Sequence, residues 1–133
     1  VPVAWNTAEA RDIIETSYTM TASPGDSTTI QQRILASVPE RLIAFRTIKA
    51  PDGFPDFDSF RQTTGVFELD AAGLGRTRVR LTGAGYPDTE AGRRLLGFFR
   101  EGNRISLERL RQRFATGPVD WGRIMQAAST GEE

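Results

Sequence analysis

The feature that most constrains this chain is a long helix-forming stretch, Asp88 to Phe114, fed by a strand-like run from Gly75 to Gly85. On a helical wheel of about 100° per residue, Arg93, Arg94, Arg100, Glu101, Arg104, Glu108, Arg111 and Gln112 gather on one arc. The opposite arc holds Leu95, Leu96, Phe98, Phe99, Ile105, Leu107, Leu110 and Phe114, and spans about 200°. A helix lying flat on a sheet needs an apolar stripe of about 100°. Twice that width implies a helix gripped by a sheet that curls around it. The middle of the arc holds small or polar Gly102, Asn103 and Ser106, bounded by Leu95, Phe99 and Leu110. Small residues framed by large apolar ones imply a cavity between helix and sheet.

At 133 residues the chain is long enough for one domain with a core. Lys+Arg and Asp+Glu both total 17, so no net field draws nucleic acid or an anionic membrane. Lys49 is the only lysine. There is no histidine and no cysteine, which removes Ser-His-Asp triads, thiol nucleophiles and the usual zinc sites. No metal or cofactor is expected; carboxylate, tyrosine, hydroxyl, lysine and arginine chemistry remain. No apolar run reaches membrane-span length and no basic-then-apolar leader is visible. Without cysteine, a cytoplasmic location is expected.

Along the chain, Val1 to Glu9 reads as the end of a helix, with Thr7 a start signal for another. The alternation Ile14, Thr16, Tyr18, Met20 predicts a strand over Ile13–Thr21 with those side chains inward. Ser23-Pro24-Gly25-Asp26 is a turn. Thr28–Ala36, with Ile30, Ile34 and Ala36 on one face, forms a hairpin with Arg41–Lys49 through Pro39-Glu40. Ala50–Arg61 carries Pro51, Gly53 and Pro55 among Phe54, Phe57 and Phe60, and reads as a loop. Those three rings have no evident burial, so the loop is expected at a cavity mouth or a homodimer contact. A second hairpin joins Gln62–Asp70 to Arg76–Gly83, with Thr77, Val79 and Leu81 inward and Arg76, Arg78 and Arg80 outward. Asp88 or Thr89 caps the long helix, and Gly117-Pro118 ends it. The expected organisation is one domain over 1–121 and a flexible tail over 122–133.

Strands in antiparallel series followed by one broad helix form the helix-grip pattern, an α+β fold. Three stretches carry a resemblance: Pro39-Glu40-Arg41-Leu42-Ile43-Ala44-Phe45, Phe67-Glu68-Leu69 through Gly75 to Thr82, and Phe98-Phe99-Arg100-Glu101-Gly102-Asn103. With the ending Phe114 to Trp121, they resemble the SRPBCC (START/birch-pollen-allergen-like) superfamily. More narrowly, they are similar to bacterial proteins related to activators of the 90-kDa heat-shock chaperone ATPase. The resemblance covers about Ile30 to Trp121. That family begins with a strand and two short helices, then a strand leading to a Gly-Gly. This sequence lacks the Gly-Gly and reaches strand-like residues almost at once. The expectation is an incomplete N-terminal region, from truncation or from ordered segments joined across missing residues.

The resemblance implies an apolar pocket for a small hydrophobic or aromatic molecule. Its alternatives are a cyclase- or dehydratase-type enzyme using the same cavity, or a protein-interaction domain like the chaperone co-activators. Candidate pocket residues are Asn103 and Ser106 as polar groups, Gly102 as room for a ligand, and Phe99 as apolar wall. Arg46 alternates with Leu42, Ala44 and Ile48, and a guanidinium there suits a ligand carboxylate or enolate oxygen. Tyr18 alternates in the same way. The bland readings are sheet-backbone bonds for Asn103 and Ser106, close packing for Gly102, a strand-end arginine and a core tyrosine. Acids interleaved along the arginine-rich helix face, with no aromatic ladder, weigh against nucleic acid. An ionisable pair on the ligand face would favour an enzyme; a purely apolar one would favour binding.

Overall fold

A computed structural model describes residues 3–6, 11–17, 23 and 25–131, with residues 3–6 described by backbone alone. It is an α+β chain whose strands form one antiparallel meander: β1 (Val3–Asn6), β2 (Ile13–Ser17), β3 (Ile30–Val38), β4 (Leu42–Lys49), β5 (Thr64–Ala71) and β6 (Thr77–Ala84), paired in chain order. Helices are α1 (Phe57–Phe60), α2 (Glu90–Thr116) and α3 (Trp121–Thr130). The chain divides into two compact units, Val1–Gly97 and Phe98–Glu133.

Both expected hairpins form. The β3–β4 reversal turns at Glu40, which takes the left-handed conformation at φ 62°, with the Arg41 N–H donating to the Val38 carbonyl at 3.0 Å. Val79 and Leu81 of β6 are half-buried and Arg76, Arg78 and Arg80 exposed, as the alternation predicts, but Thr77, expected inward, is exposed at the start of the strand. Glu68 lies opposite Arg80, with 3.8 Å between their charged atoms. The Ser23–Asp26 turn closes with the Asp26 N–H on the Ser23 carbonyl at 3.2 Å.

Three local expectations need correction. Val3–Asn6 is a strand rather than a helix end; its backbone pairs with β2 from Val3↔Ser17 to Asn6↔Ile14. In β2 the buried side chains are Glu15 and Ser17, not Ile14 and Thr16. Polar partners make that burial possible: Gln31 Nε2 donates to Glu15 Oε1 at 2.6 Å, and the Ser17 and Thr28 hydroxyls bond to each other. In β3, a bulge between Ile34 and Ala36 puts these residues on opposite faces, Ile34 opposite Phe45 and Ala36 opposite Ala44. Thr7 and the alternating Tyr18 and Met20 lie outside the described residues.

The loop after β4 packs on itself. Phe54 and Phe60 stack with ring centroids 5.1 Å apart, and α1 forms at Phe57–Phe60 where only loop was expected. Asp56 (φ 57°) opens that turn, and its carboxylate accepts from Arg94 Nη2 at 3.2 Å, tying the loop to the first turns of α2.

Thr89 caps α2, its Oγ1 accepting from the Gly92 N–H at 3.0 Å. Leu95, 4% exposed, is the one buried hydrophobic side chain among the described residues. Gly92 is also buried, and a Cβ there would lie 1.9 Å from the Pro87 carbonyl oxygen, so only glycine fits. Two i,i+4 pairs line the helix: Arg94–Glu90 at 3.1 Å and Arg104–Glu108 at 2.7 Å. Beyond the helix end at Gly117, the stretch expected as tail is helical. Asp120 caps α3 by accepting from the Arg123 N–H at 3.0 Å, and Gly131 closes it at φ 72°.

Candidate functional site

Residues directly opposite in an antiparallel ladder share a face. The row Ile34–Phe45–Gly65–Gly83 therefore crosses β3 to β6 on one side of the sheet. The neighbouring row Ile43–Phe67–Leu81 and then Leu69–Val79 lie on the same side. Apart from the two glycines, these positions carry apolar side chains, each half-buried rather than sealed. Glu68, Asp70, Arg78 and Arg80 take the other face, because the period of a strand is two.

The two glycines sit opposite each other near the end of the β5–β6 ladder, and an aromatic ring fills the space above each. A Cβ on Gly65 would lie 2.5 Å from Phe45 Cζ, so the Phe45 ring occupies the volume a side chain would need. A Cβ on Gly83 would lie 3.1 Å from Tyr86 Cε2 and 3.3 Å from its hydroxyl oxygen. Glycine costs a strand some stability, and close approach of another group is its usual explanation. Phe67 continues the surface, its ring 6.0 Å from that of Phe45 and only 25° from parallel. Phe45, Phe67 and Tyr86 thus form an aromatic pavement, with Leu81 and Val79 beside it. Burial raises the Tyr86 phenol above its ordinary pKa, so it is a neutral hydrogen-bond donor.

Each residue singled out from sequence has its own setting. Arg46 is exposed on the opposite face, alongside Leu42, Ala44 and Glu68, with Nη2 3.4 Å from Thr64 Oγ1. Phe99 is half-buried and packs edge-on against Phe98, centroids 5.1 Å apart at 84°. Asn103 is half-buried; Gly102 and Ser106 are exposed, and a Cβ on Gly102 would meet nothing within 4 Å. Phe98 is 65% and Phe114 84% exposed, with Ile105 and Leu110 also accessible. Tyr18 lies outside the described residues. Phe45, Gly65, Phe67, Gly83 and Tyr86 escaped the sequence reading as a site. The available signal was a glycine inside each of two adjacent strands, both reachable by an aromatic side chain.

A second polar constellation surrounds Asp26. Its carboxylate accepts from the Thr28 hydroxyl at 2.6 Å, the Ser23 N–H at 3.0 Å, the Thr28 N–H at 2.8 Å and the Thr29 hydroxyl at 3.2 Å. These donors, led by the Thr28 hydroxyl, hold the carboxyl down at about 2. With its lone pairs occupied by its own loop, Asp26 fixes the turn before β3. Among the described residues no cluster of acids is placed to hold a metal ion, and no helix is long and apolar enough to cross a membrane. No protein-family model matches the chain, and no curated protein or solved structure matches it either.

Proposed function

We propose that this protein binds a small hydrophobic or aromatic molecule on the Phe45–Phe67–Tyr86 face of its sheet. The observation that carries the reading is the glycine pair Gly65 and Gly83, each overlain by a ring. Rings that lie against backbone present broad apolar surface, which favours flat, carbon-rich partners. The surrounding Ile43, Leu69, Val79 and Leu81 add apolar area, and a mostly apolar lining with few polar groups is typical of small-molecule sites. On β4 to β6 this face carries no carboxylate, which favours binding over proton-transfer catalysis.

An antiparallel sheet followed by one long helix is compatible with a helix-grip domain, and membership of the SRPBCC superfamily with sheet wrapping is part of the same proposal. A neutral hydrophobic dye such as Nile red tests the binding. Its fluorescence should rise with the wild-type protein, and Phe67→Ala should weaken uptake by about tenfold through loss of a stacking surface. Equal uptake by the two proteins would exclude the aromatic face as the binding surface.

A further inference from the structure

Tyr86 differs from the other two rings of the pavement by one atom that matters. Its position is set tightly: Gly85 before it has φ 81°, and a Cβ there would lie 2.7 Å from the Gln62 carbonyl oxygen. Pro87 follows, and its carbonyl is pressed against the buried Gly92 of α2. The Tyr86 backbone is therefore clamped on both sides, and its ring is delivered over Gly83 rather than left to wander. Because Gly83 and Gly65 are direct partners, the ring lies on the same face as Phe45, one strand away.

The hydroxyl is the point of interest. A fully buried tyrosine gives its O–H a partner, whereas Tyr86 is half-buried. Among the described residues Tyr86 Oη has no partner. It is also the only hydroxyl or charged atom among Phe45, Gly65, Phe67, Leu81, Gly83 and Tyr86. A phenol oxygen shares its lone pairs with the ring, so it donates a hydrogen bond better than it accepts one. No buried side-chain oxygen among the described residues lacks a partner, so this hydroxyl is open to solvent, where an acceptor carried by a ligand on the rings can replace water.

Building on the binding function proposed above, we infer that Tyr86 is a specificity residue. Its hydroxyl donates to an acceptor oxygen at the edge of a flat aromatic molecule lying on Phe45 and Phe67. The ligand class is an aryl ketone or a similarly oxygenated polycycle, not a plain hydrocarbon or an alkyl chain. Each group then has one role. Phe45 and Phe67 supply stacking area, Gly65 and Gly83 let the rings lie low, and Tyr86 reads the oxygen. Burial raises the phenol's pKa, so the donor persists throughout the physiological range.

The test uses two probes of nearly equal shape, 2-acetylnaphthalene and 2-isopropenylnaphthalene, titrated into wild type and Tyr86→Phe and followed by amide chemical shifts. The hydrocarbon should bind both proteins equally, since the ring remains. The ketone should lose about two- to tenfold in affinity on removal of the hydroxyl, the worth of one neutral hydrogen bond. The carbonyl stretch of the bound ketone should move to lower frequency in wild type and return in Tyr86→Phe, a change that altered packing would not produce. An unchanged ratio of the two affinities in Tyr86→Phe would overturn the inference while leaving hydrocarbon binding, and the binding function, standing. Equal weakening of both probes would likewise overturn it, assigning Tyr86 to packing. Failure of both probes to bind wild type would overturn the binding function itself, and this inference with it.

Discussion

The Phe45 ring lies where the side chain of its cross-strand partner Gly65 would be: a Cβ on Gly65 would come within 2.5 Å of Phe45 Cζ. A side chain at position 65 and the Phe45 ring compete for one volume. Gly65→Ala should destabilise the fold by about 1–3 kcal/mol, since the ring must leave its place on the backbone. That loss outweighs the gain of about 0.5–1 kcal/mol that alanine normally brings over glycine in a strand. In a Phe45→Leu background the same change should cost less, and denaturant midpoints around the double-mutant cycle would measure the difference. Strict additivity would show that the two positions do not compete for the same space.

The glycines of α2 separate close packing from empty space. Gly92→Ala sets a methyl against the Pro87 carbonyl oxygen at 1.9 Å, a backbone atom that cannot swing aside. A loss of about 3 kcal/mol is expected. At Gly97 and Gly102 a Cβ meets nothing within 4 Å, so alanine there should raise stability by up to about 1 kcal/mol through helix propensity. Thermal unfolding of the three variants checks the order. A stabilised Gly92→Ala, or a strongly destabilised Gly102→Ala, would contradict the geometry.

The order of strands was legible because alternation and turn residues agree: Val79 and Leu81 against Arg78 and Arg80, Pro39-Glu40, and Ser23 to Asp26 all behave as their local chemistry dictates. The faces were less legible. In β2, Glu15 and Ser17 are buried because Gln31 and Thr28 supply their hydrogen bonds, and such long-range partners leave no mark on local alternation. The bulge between Ile34 and Ala36 shifts one strand by a residue, and a shift of one reverses every later side chain. The same limit governed the candidate site. Alternation alone points to Arg46, whereas the pavement depends on a glycine of β5 lying beside a phenylalanine of β4, which only the register reveals.

Asp26 supplies a pH signature. Its carboxyl titrates at about 2 in the fold, below the ordinary aspartate value, because four donors favour its charged form. A depressed carboxyl contributes stability that is fully present above the unfolded-state pKa and is lost as pH falls through the folded one. The wild-type urea midpoint should therefore fall between about pH 4 and about pH 2 more steeply than that of Asp26→Asn. Identical acid limbs for the two proteins would show that the loop does not hold this carboxylate as described.

Thr89 is the cap on which α2 starts, its hydroxyl accepting from the Gly92 N–H at 3.0 Å. Thr89→Ala should cost about 1 kcal/mol, whereas Thr89→Ser, which keeps the acceptor, should cost only a fraction of that. Far-ultraviolet circular dichroism during urea unfolding resolves the two variants. Equal losses would point to the methyl group rather than the cap.

The ring-covered face of the sheet is the proposed binding surface. It is tested most directly by titrating 2-acetylnaphthalene into isotopically labelled protein while recording amide and aromatic resonances. Saturable shifts are expected, concentrated at Phe45, Gly65, Phe67, Gly83 and Tyr86 and carried by ring currents of the stacked ligand. Shifts confined to the exposed Phe98 and Phe114 of α2, or none at saturation, would contradict it.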